Sequence, residues 1–356
     1  MTTDNKYSVQ PEFTGPVCQP GDFLFGFAGL DHGHAYGMTA ALIQAGGQVA
    51  AVYDPDPVKT AAYREKFPQA IPMQSLDEML NDASLAMVAC ASIPAHRVEI
   101  GLAVQRAGKH FFSDKPGFTN KALLAIARES VRLTGKIWAI YYSERVHNEA
   151  AVYAGDLIRQ GAIGKVINIT GLGPHRMAPA TRPAWFFESS LAGGILTDLA
   201  SHQIEQFFFF TGLSDATIVH SMVRNTSQPD HPHFQDYGEL LLHGSGGESG
   251  YFRVDWFTPP GLGTWGDGRA TILGSDGFIE IRKYIDLARD AQGDHVFLVN
   301  GTTEEYRKVS GTVGFPYFGR LILDCLNDTR SAMGQDYTFR VAELAMEAQE
   351  FAEKNG

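Results

Sequence analysis

Hydrophobic residues along the first 145 positions fall into two alternating rhythms. Short apolar runs at 23–27, 48–53, 85–91, 110–113 and 137–142 read as buried strands. The stretches between them, at 35–45, 55–66, 73–82, 98–107 and 122–134, carry apolar positions three and four apart and read as helices. Gly46-Gly47 and Gly108 stand where helices stop, and Ser75 with Glu78 three residues on forms a capping box. Strands alternating with helices of this length predict a doubly wound parallel sheet, with the carboxyl ends of its strands along one edge.

Beyond residue 146 the rhythm changes. A helix is expected at 150–160, then strand-like runs at 165–171, 219–223, 238–243, 250–257, 270–274, 277–283 and 295–300, joined by glycine-rich turns. Strands without intervening helices predict a large, mostly antiparallel open sheet. Two further helices are expected, at 195–210 and 339–354. The fold class is therefore α/β: an N-terminal doubly wound domain over 22–145 and a C-terminal α+β domain over 146–356. Residues 1–21 read as an extension, either an arm on a neighbouring subunit or a disordered tail.

The first strand–turn–helix–strand unit carries candidate chemistry. Gly29 to His34 forms the turn, and Asp54 ends the second strand. This is the plan of a dinucleotide-binding Rossmann unit, in which helix amides meet a pyrophosphate and the acid accepts hydrogen bonds from ribose hydroxyls. The acid would repel a 2′-phosphate, which favours NAD over NADP. The glycine fingerprint is imperfect. Gly29 takes the first position, but Asp31 stands at the second and His34 at the third, with Gly33 one residue early. The expectation is that backbone groups of 29–34, His32 included, bind the phosphates while Asp31 turns away or caps the helix. A structural unit without a ligand fits this fingerprint as well. The same sheet edge should collect Ser92, Pro94, His96, Asp114 and Lys115.

Length and charge narrow the classes. The 356 residues suffice for two domains, and a net charge of −11 excludes a basic nucleic-acid-binding surface. Three scattered cysteines predict no disulfide framework and fit a reducing compartment. No secretion-signal pattern and no membrane-length apolar run are seen, so the expected compartment is the cytoplasm. Asp31 with His32 and His34, and His231 with His233, show no third and fourth ligand at metal-site spacing, so no metal is expected.

Two places carry groups suited to acid–base work. Lys115, between a strand end and Pro116, can donate to a substrate oxygen. Asp198 and His202, four apart after Gly193-Gly194, are expected on one helix face, with the glycines admitting a ligand and the carboxylate holding the imidazole.

These segments together resemble the Gfo/Idh/MocA family of nicotinamide-dependent oxidoreductases. Asp114-Lys115-Pro116 is similar to its Glu-Lys-Pro motif, with Ala107 to His110 before it; Gly193 to His202 is similar to its Gly-Gly-x-x-x-Asp-x-x-x-His motif. Residues 157–166 and 273–277 extend the likeness, which spans residue 22 to the C-terminus. The resemblance implies NAD as cofactor and a sugar or polyol secondary alcohol as substrate. It implies His202 as the proton acceptor, Lys115 as donor to the same oxygen, and Asp198 orienting His202 or a substrate hydroxyl. It also implies a homodimer or homotetramer through the exposed sheet. Tyr142, Arg145, His175, Arg176, Arg182, Trp185 and Trp265 are candidates to shape the substrate pocket. An NAD-dependent glycoside hydrolase of the same fold and a non-catalytic sugar- or nucleotide-sensing regulator are the alternatives.

Overall fold

The computed structural model describes residues 7–355. Its first part runs β1 (Leu24–Ala28), α1 (His34–Gln44), β2 (Gln48–Tyr53), α2 (Pro57–Lys66), β3 (Ile71–Pro72), α3 (Leu76–Asn81), β4 (Leu85–Cys90), α4 (Arg97–Arg106), β5 (His110–Asp114), α5 (Lys121–Thr134) and β6 (Trp138–Tyr141). The six strands pair in parallel in the order β3-β2-β1-β4-β5-β6. The order reverses between β1 and β4, which opens a crevice at their carboxyl ends. Successive residues of β1 bury on opposite faces: Phe25 and Phe27 pack with Met38 and Leu42 of α1, whereas Ala28 joins the core below with Val88. The Ser75 cap forms, its Oγ accepting from the Glu78 amide, while Glu78 accepts from the Gln74 amide one residue before the cap rather than from Ser75 itself.

The second part runs α6 (Ser143–Val146), α7 (Glu149–Arg159), β7 (Val166–Pro174), α8 (Ser189–Ala192), α9 (Ser201–Thr211), β8 (Ala216–Arg224), β9 (Tyr237–Gly244), β10 (Ser249–Asp255), β11 (Arg269–Gly274), β12 (Gly277–Arg282), β13 (His295–Asn300), β14 (Glu304–Lys308), α10 (Pro316–Asn327) and α11 (Gln335–Asn355). Its eight strands pair in the order β14-β13-β12-β11-β7-β10-β9-β8, antiparallel except where β10 meets β7. Helices α7, α9 and α11 cover one face. The other face leaves Ile167, Tyr251, Leu273 and Phe278 exposed.

Four features differ from expectation. The strand β14 reads EEYRK, a charged sheet edge with too little apolar alternation to announce itself. The helix α10 carries Gly319 in its middle, where a Cβ would lie 2.9 Å from Phe13 and Val17. That glycine admits the N-terminal arm, a tertiary requirement no local pattern shows. Residues 7–21 lie on their own chain rather than projecting as a tail: Val17 N donates to Ala45 O, and Glu12 pairs with Arg320. Residues 1–6 lie outside the described part. Finally, the helix expected over 195–210 is split into a π-turn, Leu196–Ala200, and α9. Among the described residues no helix is long and apolar enough to cross a membrane.

The turn after β1 depends on Gly29. Its φ is +79°, and a Cβ there would lie 2.6 Å from Ser92 Cβ. Gly29→Ala should destabilise the fold by about 1–3 kcal/mol, from left-handed strain and crowding, read as a lower urea midpoint at unchanged slope.

Candidate active site

Four loops meet at the crevice. In the first, Asp31 is held by two neighbours: its Oδ1 accepts from Lys59 Nζ at 2.5 Å and its Oδ2 from the Ile93 amide at 3.0 Å. It does not cap α1. The cap position is Gly33, which receives no side-chain hydrogen bond. Asp54 is buried, with Oδ2 accepting from the Leu30 amide at 2.6 Å and Oδ1 from the Asp56 amide at 2.9 Å; Lys59 Nζ lies 4.0 Å away. On the β4 loop Ser92 and Pro94 are buried and His96 is exposed.

Asp114, at the end of β5, is fully buried and gathers the groups around it. His32 Nδ1 lies 3.1 Å from its Oδ2, His34 Nδ1 2.8 Å from its Oδ1, and Arg97 NH2 3.3 Å from its Oδ2; the Lys115 amide donates to Oδ1. Burial alone would push this carboxyl up, but the adjoining His34, His32 and Arg97 hold it well below the ordinary range. His32 is pushed down to about 4, chiefly by burial. Spacing along the chain pointed to no third group beside the two histidines. The parallel pairing of β4 with β5 brings Asp114 there from 80 residues away.

Lys115 extends from the same strand end to Asp198, Nζ to Oδ1 at 2.8 Å, with the lysine only 4% exposed. Burial would raise the Asp198 carboxyl; the adjacent ammonium outweighs it and the net shift is downward. Asp198 therefore serves Lys115. Of the two roles expected for it, holding His202 is corrected: Asp198 sits within the π-turn, which breaks the regular helical spacing to His202, and its carboxylate is taken by the lysine. The paired glycines are also explained differently. Gly193 and Gly194 adopt φ of +95° and +85°, and a Cβ on Gly194 would collide with the Gln349 amide. Gln349 and Gln235 accept from the Leu196 and Ile195 amides, so the close approach is made by α11 and not by a ligand.

His202 is 1% exposed, and its Nδ1 has no hydrogen-bond partner among the described residues. Burial pushes it well below the histidine range, opposed by Glu144 and reinforced by Lys115, His175 and His34. Glu144 was not expected at the site. It lies on α6 beside the crevice, where its Oε2 accepts from Lys283 Nζ at 2.5 Å and from Gln203 Nε2 at 2.9 Å. Burial opposes its charge, yet Lys283, His202 and His175 hold it at about 2. A glutamate and a lysine 139 residues apart in sequence gave no local signal of this pairing.

A cleft of about 450 Å³ opens at Lys115, His32 and His34, and Asp198, His202 and Glu144 are not among its lining residues. Its walls include His32, His34, Lys115, His175, Arg176, Arg182, Trp185, Trp256 and Trp265. His175 packs against Trp265 with ring centres 4.4 Å apart, and Arg182 lies over Phe186 and Trp256. Arg176 is committed to the carbonyls of Leu262 and Thr264. Tyr142 and Arg145 are corrected: neither lines this cleft. Tyr142 is buried and donates to Thr338 O, and Arg145 pairs with Glu205 beneath Phe209. Tyr142 follows the last residue of β6, and its ring turns to α11 while the adjacent Tyr141 packs toward His34.

Comparison with known proteins now decides the relationship. Residues 24–141 match the oxidoreductase family with an NAD-binding Rossmann fold, and residues 152–280 the GFO/IDH/MocA C-terminal domain. A crystal structure of a protein from Erwinia carotovora atroseptica is 43% identical, covers 93% of this chain and 98% of its own, and superposes with a TM-score of 0.90. The chain belongs to the Gfo/Idh/MocA oxidoreductase family. Levoglucosan dehydrogenase, solved with NADH and levoglucosan, shares the fold at a TM-score of 0.77 and 16% identity, over 94% of this chain and 98% of its own. In sequence, scyllo-inositol 2-dehydrogenase (NADP(+)) IolW of Bacillus subtilis is 26% identical over 52% of this chain and 53% of its own. Levoglucosan dehydrogenase of Pseudarthrobacter phenanthrenivorans is 27% identical over 50% and 45%. The chain thus spans about half the length of the curated relatives it matches.

Within this Gfo/Idh/MocA chain the Glu144–Lys283 pair is testable by stability. Glu144→Gln leaves a buried ammonium without its counter-ion and should cost about 3–5 kcal/mol in urea unfolding. The double variant Glu144→Gln/Lys283→Met should recover most of it.

Proposed function

We propose that this protein is an NAD(H)-dependent dehydrogenase or reductase acting on a secondary alcohol or ketone of a sugar or polyol. The observation that carries this reading is Lys115, paired with Asp198 at the wall of a tryptophan-lined cleft, within electrostatic reach of the buried, uncharged His202, whose Nδ1 has no partner among the described residues.

The residues fit a dinucleotide at the switch point between β1 and β4. Gly33 has open space where a Cβ would stand, so a ligand can approach the backbone there. Asp54 retains lone pairs for ribose hydroxyls after accepting two amides. Among the described residues Lys59 is the cation paired near it that would favour a 2′-phosphate, and three carboxylates, Asp31, Asp54 and Asp56, surround that lysine. That balance supports NAD.

When bound, the nicotinamide supplies the hydride-accepting carbon. The chain's residues do the rest. His202, neutral because burial disfavours its charge, takes the hydroxyl proton. Lys115 donates to the same oxygen and stabilises its developing negative charge. Asp198 keeps the lysine in place. Trp185, Trp256 and Trp265 offer the flat apolar surfaces on which sugar faces stack, and Arg182 and His175 offer polar contacts at the rim.

Lys115→Ala and His202→Ala should each lower kcat by about 10²–10⁴-fold, followed at 340 nm over a sugar and polyol panel with the fold checked by circular dichroism. Activity left intact in both would refute the catalytic assignment. Because a lowered pKa keeps the base unprotonated, oxidation at saturating cofactor should stay level as pH falls through about 6.5, the ordinary histidine value. A thermal shift should be larger with NAD than with NADP; the reverse result rejects the reading of Asp54.

A homo-oligomer belongs to the same proposal. The exposed Tyr251, Leu273 and Phe278 on the open sheet face support it. Light scattering should then give a multiple of 38.9 kDa, and Phe278→Glu should reduce it toward the single-chain mass.

A further inference from the structure

The fingerprint turn of this chain is short of backbone donors. The His32 amide donates to Ala91 O, and the Ala35 and Tyr36 amides turn to the carbonyls of His32 and Gly33. Three of the amides that could meet a diphosphate at this helix start are thus engaged within the loop, and the open backbone at Gly33 remains. In their place stand two imidazoles. Asp114 occupies Nδ1 of each ring, and its ionised oxygens orient the Nδ1 protons toward itself; the His34 amide contact with His32 is the longer of the two at that atom. Nε2 of each ring is thereby left for a ligand, and both side chains line the cleft.

We propose that His32 and His34 form a proton-dependent diphosphate clamp: one imidazole takes up a proton from solvent as the cofactor's diphosphate enters, and the resulting Nε2–H donates beside the few loop amides left open. The proposal rests on the cofactor reading above and names the groups that hold the middle of that cofactor. The electrostatic surroundings set the direction. His32 faces His34, Lys115, Asp114 and Asp198. His34 faces Asp114, the Tyr141 ring, His147 and His202. Burial and the neighbouring cations keep His32 uncharged in the free protein. Two negative phosphates arriving at Nε2 reverse that balance, because an opposite charge within about 4–6 Å favours the protonated ring. The proton gained is bound only in the complex, so affinity must rise as pH falls.

A divalent cation between the two rings and Asp114 is the competing occupant. It is disfavoured because Arg97 already lies 3.3 Å from the same carboxylate and the Lys115 amide donates to it.

The test is calorimetric titration of the full chain with NADH, and with NADPH, at pH 7 in buffers of differing ionisation enthalpy. About one proton should be taken up per nucleotide bound, and affinity should rise up to about tenfold per unit fall in pH over the linked range. In His32→Gln/His34→Gln the uptake should vanish and the pH dependence flatten. His220→Gln, at an exposed histidine on β8, should keep both. Nucleotide binding without proton uptake, or uptake that survives the double glutamine variant, would overturn the clamp while leaving the cofactor reading standing. Binding abolished by EDTA and restored by zinc chloride would overturn it in favour of a metal centre. Failure of both nucleotides to bind would overturn the clamp together with the reading beneath it.

Discussion

The ion pair between Lys115 and Asp198 is the constraint on which the site depends. The lysine leaves the end of a strand in the six-stranded sheet, and the carboxylate leaves a π-turn under the eight-stranded one. A buried charge is tolerated only with its partner, so each half needs the other at hydrogen-bonding range. The surrounding structure is arranged to permit it. Two left-handed glycines bring the chain past Gln349 into the π-turn, and Gln235 and Gln349 accept the amides that its wide turn leaves open. Glu144 and Lys283 repeat the principle one layer deeper, again with one partner beside the parallel sheet and one from the larger.

Charge in this site is balanced locally and at short range. Asp114 is neutralised by Arg97, Asp198 by Lys115 and Glu144 by Lys283. The histidines have no such dedicated carboxylate apart from the shared Asp114, and burial keeps His32, His175 and His202 uncharged. These three imidazoles therefore stand unprotonated at neutral pH among paired ions, with a ring nitrogen lone pair available. Both rings of the turn, His32 and His34, set Nδ1 against the buried Asp114, so the histidine at the third fingerprint position is held by a carboxylate from another strand.

Much of the first sheet was legible because its periods are local. Apolar runs of strand length, glycine stops and the Ser75–Glu78 box each report on neighbours a few residues away. The shared edge also followed, since parallel topology forces strand ends together. Residues such as Glu144, Lys283 and Gln349 were not legible, because their partners lie over 100 residues away. Tyr142 and Arg145 failed for a related reason: a position at a strand end does not say which layer its side chain enters.

By itself the sequence determined the alternation of strand and helix, the two-part architecture and the presence of Lys115, Asp198 and His202 in segments that the family shares. Local hydrophobic period and backbone preference suffice for those. Only the tertiary structure decided that Asp198 serves the lysine, that Gly194 faces α11, and that Asp114 joins His32 to His34. Those are choices among partners, and burial makes them: a charged or polar group removed from water takes the nearest complement that packing supplies, wherever that complement stands in the chain.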